Sequence, residues 1–338
     1  MRAYQFHKSG KPEVLKIVEL SEPTPEENEV KIKIVCIGIN YAEILSRKGQ
    51  YRWAPKRPYV PGMEAYGQVV EIGKNVSQHA VGEMVIVGQQ YGGYAEFACV
   101  AEHLCFPAIA GFSPEENAAY LVNFMTAWVA LKKLCRVQSG ERVLIHAAAG
   151  GVGTAAVQIG KALGCHVFGT ASKMEKLNLI KKLGADMAIN YTTQDFYEEI
   201  LKEGGKVDCV LEVVGGDVFK KSLELLGPFG RMAVIGFASI NLQKWNPVSW
   251  WRTWKAAPKV QLIEMSKRSQ GIYASHIGYL TDNTEVVAKI WDELRIFVQK
   301  HQLKPIVGKT FDFDDLPNAH RYMESRASVG KIVVNINH

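Results

Sequence analysis

Apolar and polar positions alternate along the first third of the chain and then change period. Val30–Ile37 alternates as a strand, and Gly67–Ile72 and Glu83–Val87 do so more briefly, with Pro23, Pro25, Pro55, Pro58 and Pro61 punctuating the loops between them. This texture predicts a small barrel-like β domain with little helix. From about Asn123 the pattern becomes strand–helix alternation. It predicts strands at Arg142–His146, His166–Thr170, Met187–Asn190, Val207–Glu212 and Arg231–Ile235, with a sixth near Gly271–Ile277. Helical stretches fall between them at Gly151–Leu163, Lys173–Leu183, Gln194–Leu201 and Gly216–Leu226. Six strands with crossover helices predict a doubly wound parallel sheet. A long amphipathic helix follows at Thr284–Lys300. Short strand-like pieces, Ile306-Val307, Lys309–Phe313 and Lys331–Ile336, then read as the chain returning to complete the first domain.

Within that pattern, Ala147-Ala148-Ala149-Gly150-Gly151-Val152-Gly153 links the apolar run Val143-Leu144-Ile145 to a helix of small and apolar residues. A tight glycine turn between strand and helix aims backbone N–H groups and the positive end of a helix dipole at one place, which suits a pyrophosphate. The fingerprint departs from G-x-G-x-x-G at its first position, Ala148, a change the turn tolerates if the backbone there avoids positive φ.

The end of the second strand bears on which dinucleotide binds. An Asp or Glu about 20 residues past the glycines holds the ribose diol in NAD sites. Here the place reads Thr170-Ala171-Ser172-Lys173-Met174-Glu175-Lys176, whose only acid lies a helical turn further on between two lysines. A hydroxyl and two ammoniums fit a 2′-phosphate better than a diol, so NADPH is the expected cofactor, against the alternative that both lysines are ordinary surface residues.

Composition narrows the remaining classes. At 338 residues two domains are expected, and 47% hydrophobic with 22% charged residues is ordinary for a globular enzyme. The net charge of +6 is spread out, with no basic run or aromatic-basic interleaving, so no nucleic-acid partner is expected. Cys36, Cys99, Cys105, Cys135, Cys165 and Cys209 form no C-x-x-C pair and read as reduced, inert thiols. The chain starts directly in strand-like sequence and carries no apolar run near the roughly 20 residues of a membrane helix, so a cytoplasmic protein is expected.

Several segments together resemble the medium-chain dehydrogenase/reductase superfamily in its zinc-free quinone oxidoreductase (zeta-crystallin-like) branch. They are Gly38-Ile39-Asn40-Tyr41-Ala42-Glu43, Pro61-Gly62-Met63-Glu64-Ala65-Tyr66-Gly67, Val122-Asn123-Phe124-Met125-Thr126-Ala127, the glycine turn, Phe168-Gly169-Thr170-Ala171-Ser172, and Glu324-Ser325-Arg326-Ala327-Ser328-Val329-Gly330-Lys331. Pro-Gly-Met-Glu at 61–64 and Leu121–Thr126 most resemble the vesicle amine transport protein-like members. The resemblance implies an α/β chain: a GroES-like β-barrel catalytic domain over 1–122 and 281–338, and a Rossmann NADPH-binding domain, a doubly wound parallel six-stranded sheet, over 123–280. It also implies a homodimer. Where zinc-dependent members carry Cys, His and Cys or Asp, this chain has Asn40, Met63 and Asn123, poor ligands for Zn²⁺, so no metal is expected.

The same resemblance implies that Asn40 and Thr126 face the nicotinamide and its ribose, and that Gly150, Gly151 and Val152 hold the pyrophosphate. Ser172, Lys176, Tyr191 and Arg326 would surround the 2′-phosphate, and Gly236 and Phe237 would line the nicotinamide side. Tyr51 is the candidate for touching substrate, either as a proton donor or as an aromatic lid, with Tyr41 a second choice. Trp245, Trp250, Trp251 and Trp254 read as an apolar rim, a partner or membrane-surface contact, or a packed insertion. The expected activity is zinc-independent quinone reduction by NADPH, with a small hydrophobic quinone or enone as acceptor. The alternatives are reduction of activated C=C bonds in alkenals or enoyl thioesters, and a non-enzymatic NADPH-binding protein.

Overall fold

The computed structural model describes residues 1–236 and 260–337, so Phe237 and the four tryptophans of the 245–254 cluster lie outside the described residues. The chain divides into two units: Met1–Met125 with Gly278–His338, and Thr126–Ile277.

The first unit begins with β1 (Arg2–Gln5), β2 (Lys16–Glu19), β3 (Glu29–Ile39), β4 (Glu64–Ile72), β5 (Met84–Gly88), β6 (Phe97–Ala101) and β7 (Cys105–Pro107). β3 organises it. Its even positions from Val30 to Cys36 are buried, which is the alternation seen in the sequence. β3 pairs antiparallel with β4 along most of its length; on its other edge Glu29–Lys33 pair with β6. The register shifts twice against β4, the local irregularity by which a sheet bends toward closure. Val30, Ile32 and Ile34 meet Val85, Val87, Ile332 and Val334 in one core. The sequence reading missed the helix Tyr41–Lys48, which follows β3 at once and ends at Gly49 with φ 71.

The second unit carries β8 (Arg142–Ile145), β9 (His166–Ala171), β10 (Met187–Asn190), β11 (Val207–Glu212), β12 (Leu226–Val234) and β13 (Gly271–Ala274). They form one six-stranded sheet in the order β10-β9-β8-β11-β12-β13, parallel throughout. Crossover helices Gly151–Ala162, Met174–Lys182, Phe196–Lys202 and Gly216–Leu225 join the first five strands, the doubly wound arrangement the alternation predicts. β12 starts earlier than expected. Gly227-Pro228-Phe229-Gly230 reads as a turn, yet it lies inside the strand, with Phe229 at φ 59 and a register shift against β11.

The chain then re-enters the first unit through the helix Thr284–His301, whose Trp291 packs on Phe106 with ring centroids 4.5 Å apart. β14 (Val307–Asp312) and β15 (Lys331–Asn335) follow; β15 pairs antiparallel with β3 from Cys36 to Ile39. The returning tail therefore completes the first sheet, in the order β14-β15-β3-β4-β5-β7.

Candidate functional site

Because the six strands are parallel, their carboxyl ends share one edge of the sheet, the edge where such folds bind ligands. At the end of β8 the chain turns through Ala147, whose φ is 48, and Gly150 caps the helix Gly151–Ala162 in an extended conformation. The left-handed residue is thus Ala147, one place before the fingerprint, and Ala148 is not left-handed, which is why an alanine serves there. As at any helix start, the first N–H groups have no intrahelical acceptor and can meet an anion. A Cβ on Gly153 would lie 2.3 Å from the Ala147 oxygen and 2.7 Å from Ala148 Cα, so only glycine lets helix and turn approach this closely.

At the end of β9, Thr170 is buried, Ser172 and Lys176 are half-buried and Lys173 is exposed. Burial, and then the charge of Lys173, lower the pKa of Lys176. The carboxylate of Glu175 acts in the opposite sense and favours its charged form. Tyr191 follows β10, half exposed, with its N–H bonded to Ala171 O at 3.1 Å. Gly236 follows β12. Gly150, Gly151, Val152, Ser172, Lys176, Tyr191 and Gly236 therefore all lie along the carboxyl edge.

Beneath this edge lies a buried polar group that sequence reasoning missed. His146 Nε2 is 2.8 Å from Ser222 Oγ, and its Nδ1 is 3.1 Å from Thr170 Oγ1. Glu212 accepts the N–H groups of Val214 at 2.5 Å and Gly215 at 2.8 Å. Burial pushes His146 down to about 3, so it is a neutral tie from the end of β8 to β9 and to the helix Gly216–Leu225.

In the first unit, Asn40 sits at the junction of β3 and the helix Tyr41–Lys48, buried. Its side-chain oxygen accepts from Lys331 Nζ at 2.7 Å, and Lys331 pairs with Glu64 at 2.5 Å; both charged residues are buried. Glu43, also buried, accepts the N–H groups of Asn40 at 2.8 Å and Met63 at 2.7 Å and the Tyr94 hydroxyl at 2.5 Å. Burial raises its pKa, and those three donors work against the rise. Tyr94 in turn contacts His320 Nε2 at 2.9 Å. The signal available in the sequence was a charged residue opening or interrupting an apolar run, as in Met63-Glu64-Ala65 and Gly330-Lys331-Ile332.

Tyr51 is half-buried, edge-on to Trp53 with centroids 6.4 Å apart, and Trp53 meets Tyr279 at 5.9 Å. Burial, followed by Glu43 and Tyr279, raises the Tyr51 hydroxyl well above its ordinary value, making it a weaker acid than a free phenol. Tyr41, the first residue of its helix, is exposed. Asn123 is buried and bonds Ala119 O through its amide nitrogen at 3.0 Å. Arg326 belongs to the first unit, exposed at φ 57, while Thr126 opens the second unit.

The donor set at 40, 63 and 123 does not fit zinc. Two amides and a thioether are weak ligands, and the Asn40 oxygen already faces an ammonium, which repels a cation. Among the described residues no cluster of three or more His, Cys, Asp or Glu could hold a metal ion. Nor is any described helix long and apolar enough to cross a membrane.

Residues 26–110 match the family model of the alcohol dehydrogenase GroES-like domain, and residues 151–271 match that of the zinc-binding dehydrogenase. The rat synaptic vesicle membrane protein VAT-1 homolog is 32% identical over 92% of this chain and 78% of its own length. The structure of Escherichia coli quinone oxidoreductase complexed with NADPH superposes with a TM-score of 0.88 at 29% identity, covering 99% of this chain and 100% of that one. The CurK enoyl reductase structure does so with a TM-score of 0.86 at 28% identity, covering 99% of both chains.

Proposed function

The chain belongs to the medium-chain dehydrogenase/reductase superfamily, and from that premise we propose that it is an NADPH-dependent, zinc-independent oxidoreductase acting on a quinone-like acceptor. The observation that carries this reading is Asn40: the place of a metal ligand is taken by an amide whose oxygen is held by the Lys331 ammonium. Such a site offers hydrogen-bond donors and no Lewis acid, which suits an acceptor that is already electron-poor. The lysine pair at 173 and 176 supports NADPH over NADH, as does the E. coli relative crystallised with NADPH.

Bound NADPH would supply a hydride from nicotinamide C4. In this reading Gly150, Gly151 and Val152 hold the pyrophosphate through backbone N–H groups, Ser172 and Tyr191 donate hydroxyl hydrogen bonds to the 2′-phosphate, and Lys176 neutralises it. Asn40 and Thr126 orient the nicotinamide and its ribose, and Gly236 lines its side. Tyr51, with Trp53 against it and Tyr279 behind Trp53, supplies an apolar wall for a planar acceptor. Protons for the reduced oxygens come from solvent. We also take the protein to be a homodimer in the cytoplasm; sedimentation and fractionation check both points.

A second reading, reduction of activated C=C bonds, is favoured by the likeness to the CurK enoyl reductase. One panel decides: oxidation of NADPH and of NADH is followed with ortho-quinones, para-quinones, 2-alkenals and an enoyl thioester. NADPH-dependent turnover highest on quinones supports the proposal. Turnover confined to alkenals or thioesters replaces it with the second reading, and tight NADPH binding without oxidation by any acceptor replaces both with a binding protein.

A further inference from the structure

We propose that Lys331 is a positioning residue that fixes the side-chain amide of Asn40 so that its N–H, and not its carbonyl, is offered to the reacting molecules. The inference rests on the reading above for what is being reduced, but its geometry stands apart from it.

An ammonium can only donate, so the Asn40 atom 2.7 Å from Lys331 Nζ is the amide oxygen. With the oxygen committed, Nδ2 donates to Gly38 O at 3.2 Å, its only acceptor among the described residues. The amide has a second N–H, for which the described residues offer no acceptor, and this is the one left for a bound molecule. Flipping the amide would set NH₂ against a buried ammonium and forfeit both bonds.

The lysine is itself held. Glu64 takes it through Oε2 at 2.5 Å, while Oε1 accepts the N–H of Val122 at 2.9 Å. Gly38 makes room for the pair: a Cβ there would stand 2.8 Å from Lys331 Cε and 3.0 Å from Glu64 Oε2. Removal of one partner alone would strand a buried charge. β15 delivers Lys331 and β3 delivers Gly38, and Ile332 pairs with Ile39, so the register of the returning tail sets the contact.

A chemical consequence follows. A cation on the amide oxygen draws electron density from the nitrogen and strengthens its remaining N–H as a donor. A strengthened donor stabilises an oxygen that gains negative charge when hydride arrives. Lys331 acts through Asn40 and touches no substrate.

The test uses the charge-neutral pair variant Glu64→Gln with Lys331→Met, which leaves no unpaired buried charge. We expect kcat to fall at least about tenfold with KM for the acceptor changed less than about threefold. Adding Asn40→Ala to that background should cost less than about a further twofold, since both act through one donor. Wild-type kcat in the pair variant, or losses that multiply in full, would overturn the proposal. Should the pair variant not fold, Asn40→Asp keeps a partner for Lys331 and removes the N–H. Its kcat should fall as far as that of Asn40→Ala, and retention of wild-type kcat would likewise overturn it. A readout independent of turnover is the Asn40 side-chain amide pair in a nitrogen–proton NMR spectrum, identified by its loss in Asn40→Ala. It should shift in the Glu64→Gln/Lys331→Met pair variant, and an unmoved pair contradicts the orientation. If none of the tested acceptors supports NADPH oxidation by the wild-type protein, the functional reading fails while these peaks still decide the positioning claim.

Discussion

A side chain on Gly153 would run into the carbonyl oxygen of Ala147, 2.3 Å from where its Cβ must lie. This contact, more than any other feature of the fingerprint, fixes how near the helix Gly151–Ala162 comes to the turn after β8. Gly153→Ala should therefore destabilise the fold by about 2–3 kcal/mol, because backbone must move. It should also weaken NADPH binding by at least about tenfold through displaced N–H groups. Denaturant midpoints and fluorescence titration measure the two effects; an NADPH affinity unchanged in a folded variant would sink the proposed cradle.

Lys176 tests the choice of dinucleotide. Its pKa is lowered by burial and by Lys173 against the pull of Glu175, so its charged form is disfavoured. Lys176→Glu should weaken NADPH by about 1.5–3 kcal/mol, the range of a charge-assisted bond, and leave NADH within about threefold. Equal losses for both cofactors would move the 2′-phosphate site elsewhere.

The tight glycine turn is legible in the sequence because it is local, a turn chemistry beside a strand. The strand–helix alternation likewise gave the sheet, since period alone separates the five crossover strands from their helices. What stayed hidden depends on tertiary register. Nothing near Lys331 announces that β15 will bring it to Asn40, 291 residues earlier in sequence. The helix Tyr41–Lys48 escaped notice because only half of it is buried, in no long apolar stripe. β12 was read short because Gly227-Pro228-Phe229-Gly230 looks like a turn and instead forms an irregular stretch of strand.

Tyr51 separates acid from wall. Its hydroxyl is raised by burial and by Glu43, which weakens it as a proton donor, while its ring packs edge-on against Trp53. Tyr51→Phe keeps the ring and removes the proton. Quinone reduction should stay within about threefold, whereas a general-acid role in C=C reduction would show as a loss of about a hundredfold or more. If both activities survive, Tyr51 is a wall; if quinone reduction itself collapses, solvent protonation is wrong.

His320 predicts a pH dependence whose sign is set by burial. Tyr94 spends its hydroxyl proton on Glu43, so His320 Nε2–H must donate to the Tyr94 oxygen, and burial keeps the ring neutral. Burial, and secondarily Arg47, push His320 from its ordinary 6.5 down to about 3. Between those values the unfolded chain binds a proton that the folded chain refuses, so stability falls as pH falls through this window, by up to about 1.4 kcal/mol per pH unit. His146, also near 3, adds the same sign from the other unit. Glu43 and Glu212, both raised by burial, take up protons more readily when folded and pull the opposite way. The total slope is therefore mixed, and the difference between proteins isolates one group. His320→Gln retains a donor for the Tyr94 oxygen and cannot titrate. Urea unfolding followed from about pH 7.5 to 5 should show a shallower acid loss for the variant, by up to about 1.4 kcal/mol per pH unit. Parallel curves would mean that His320 titrates normally in the folded protein, and the neutral Tyr94–His320 contact would have to be abandoned.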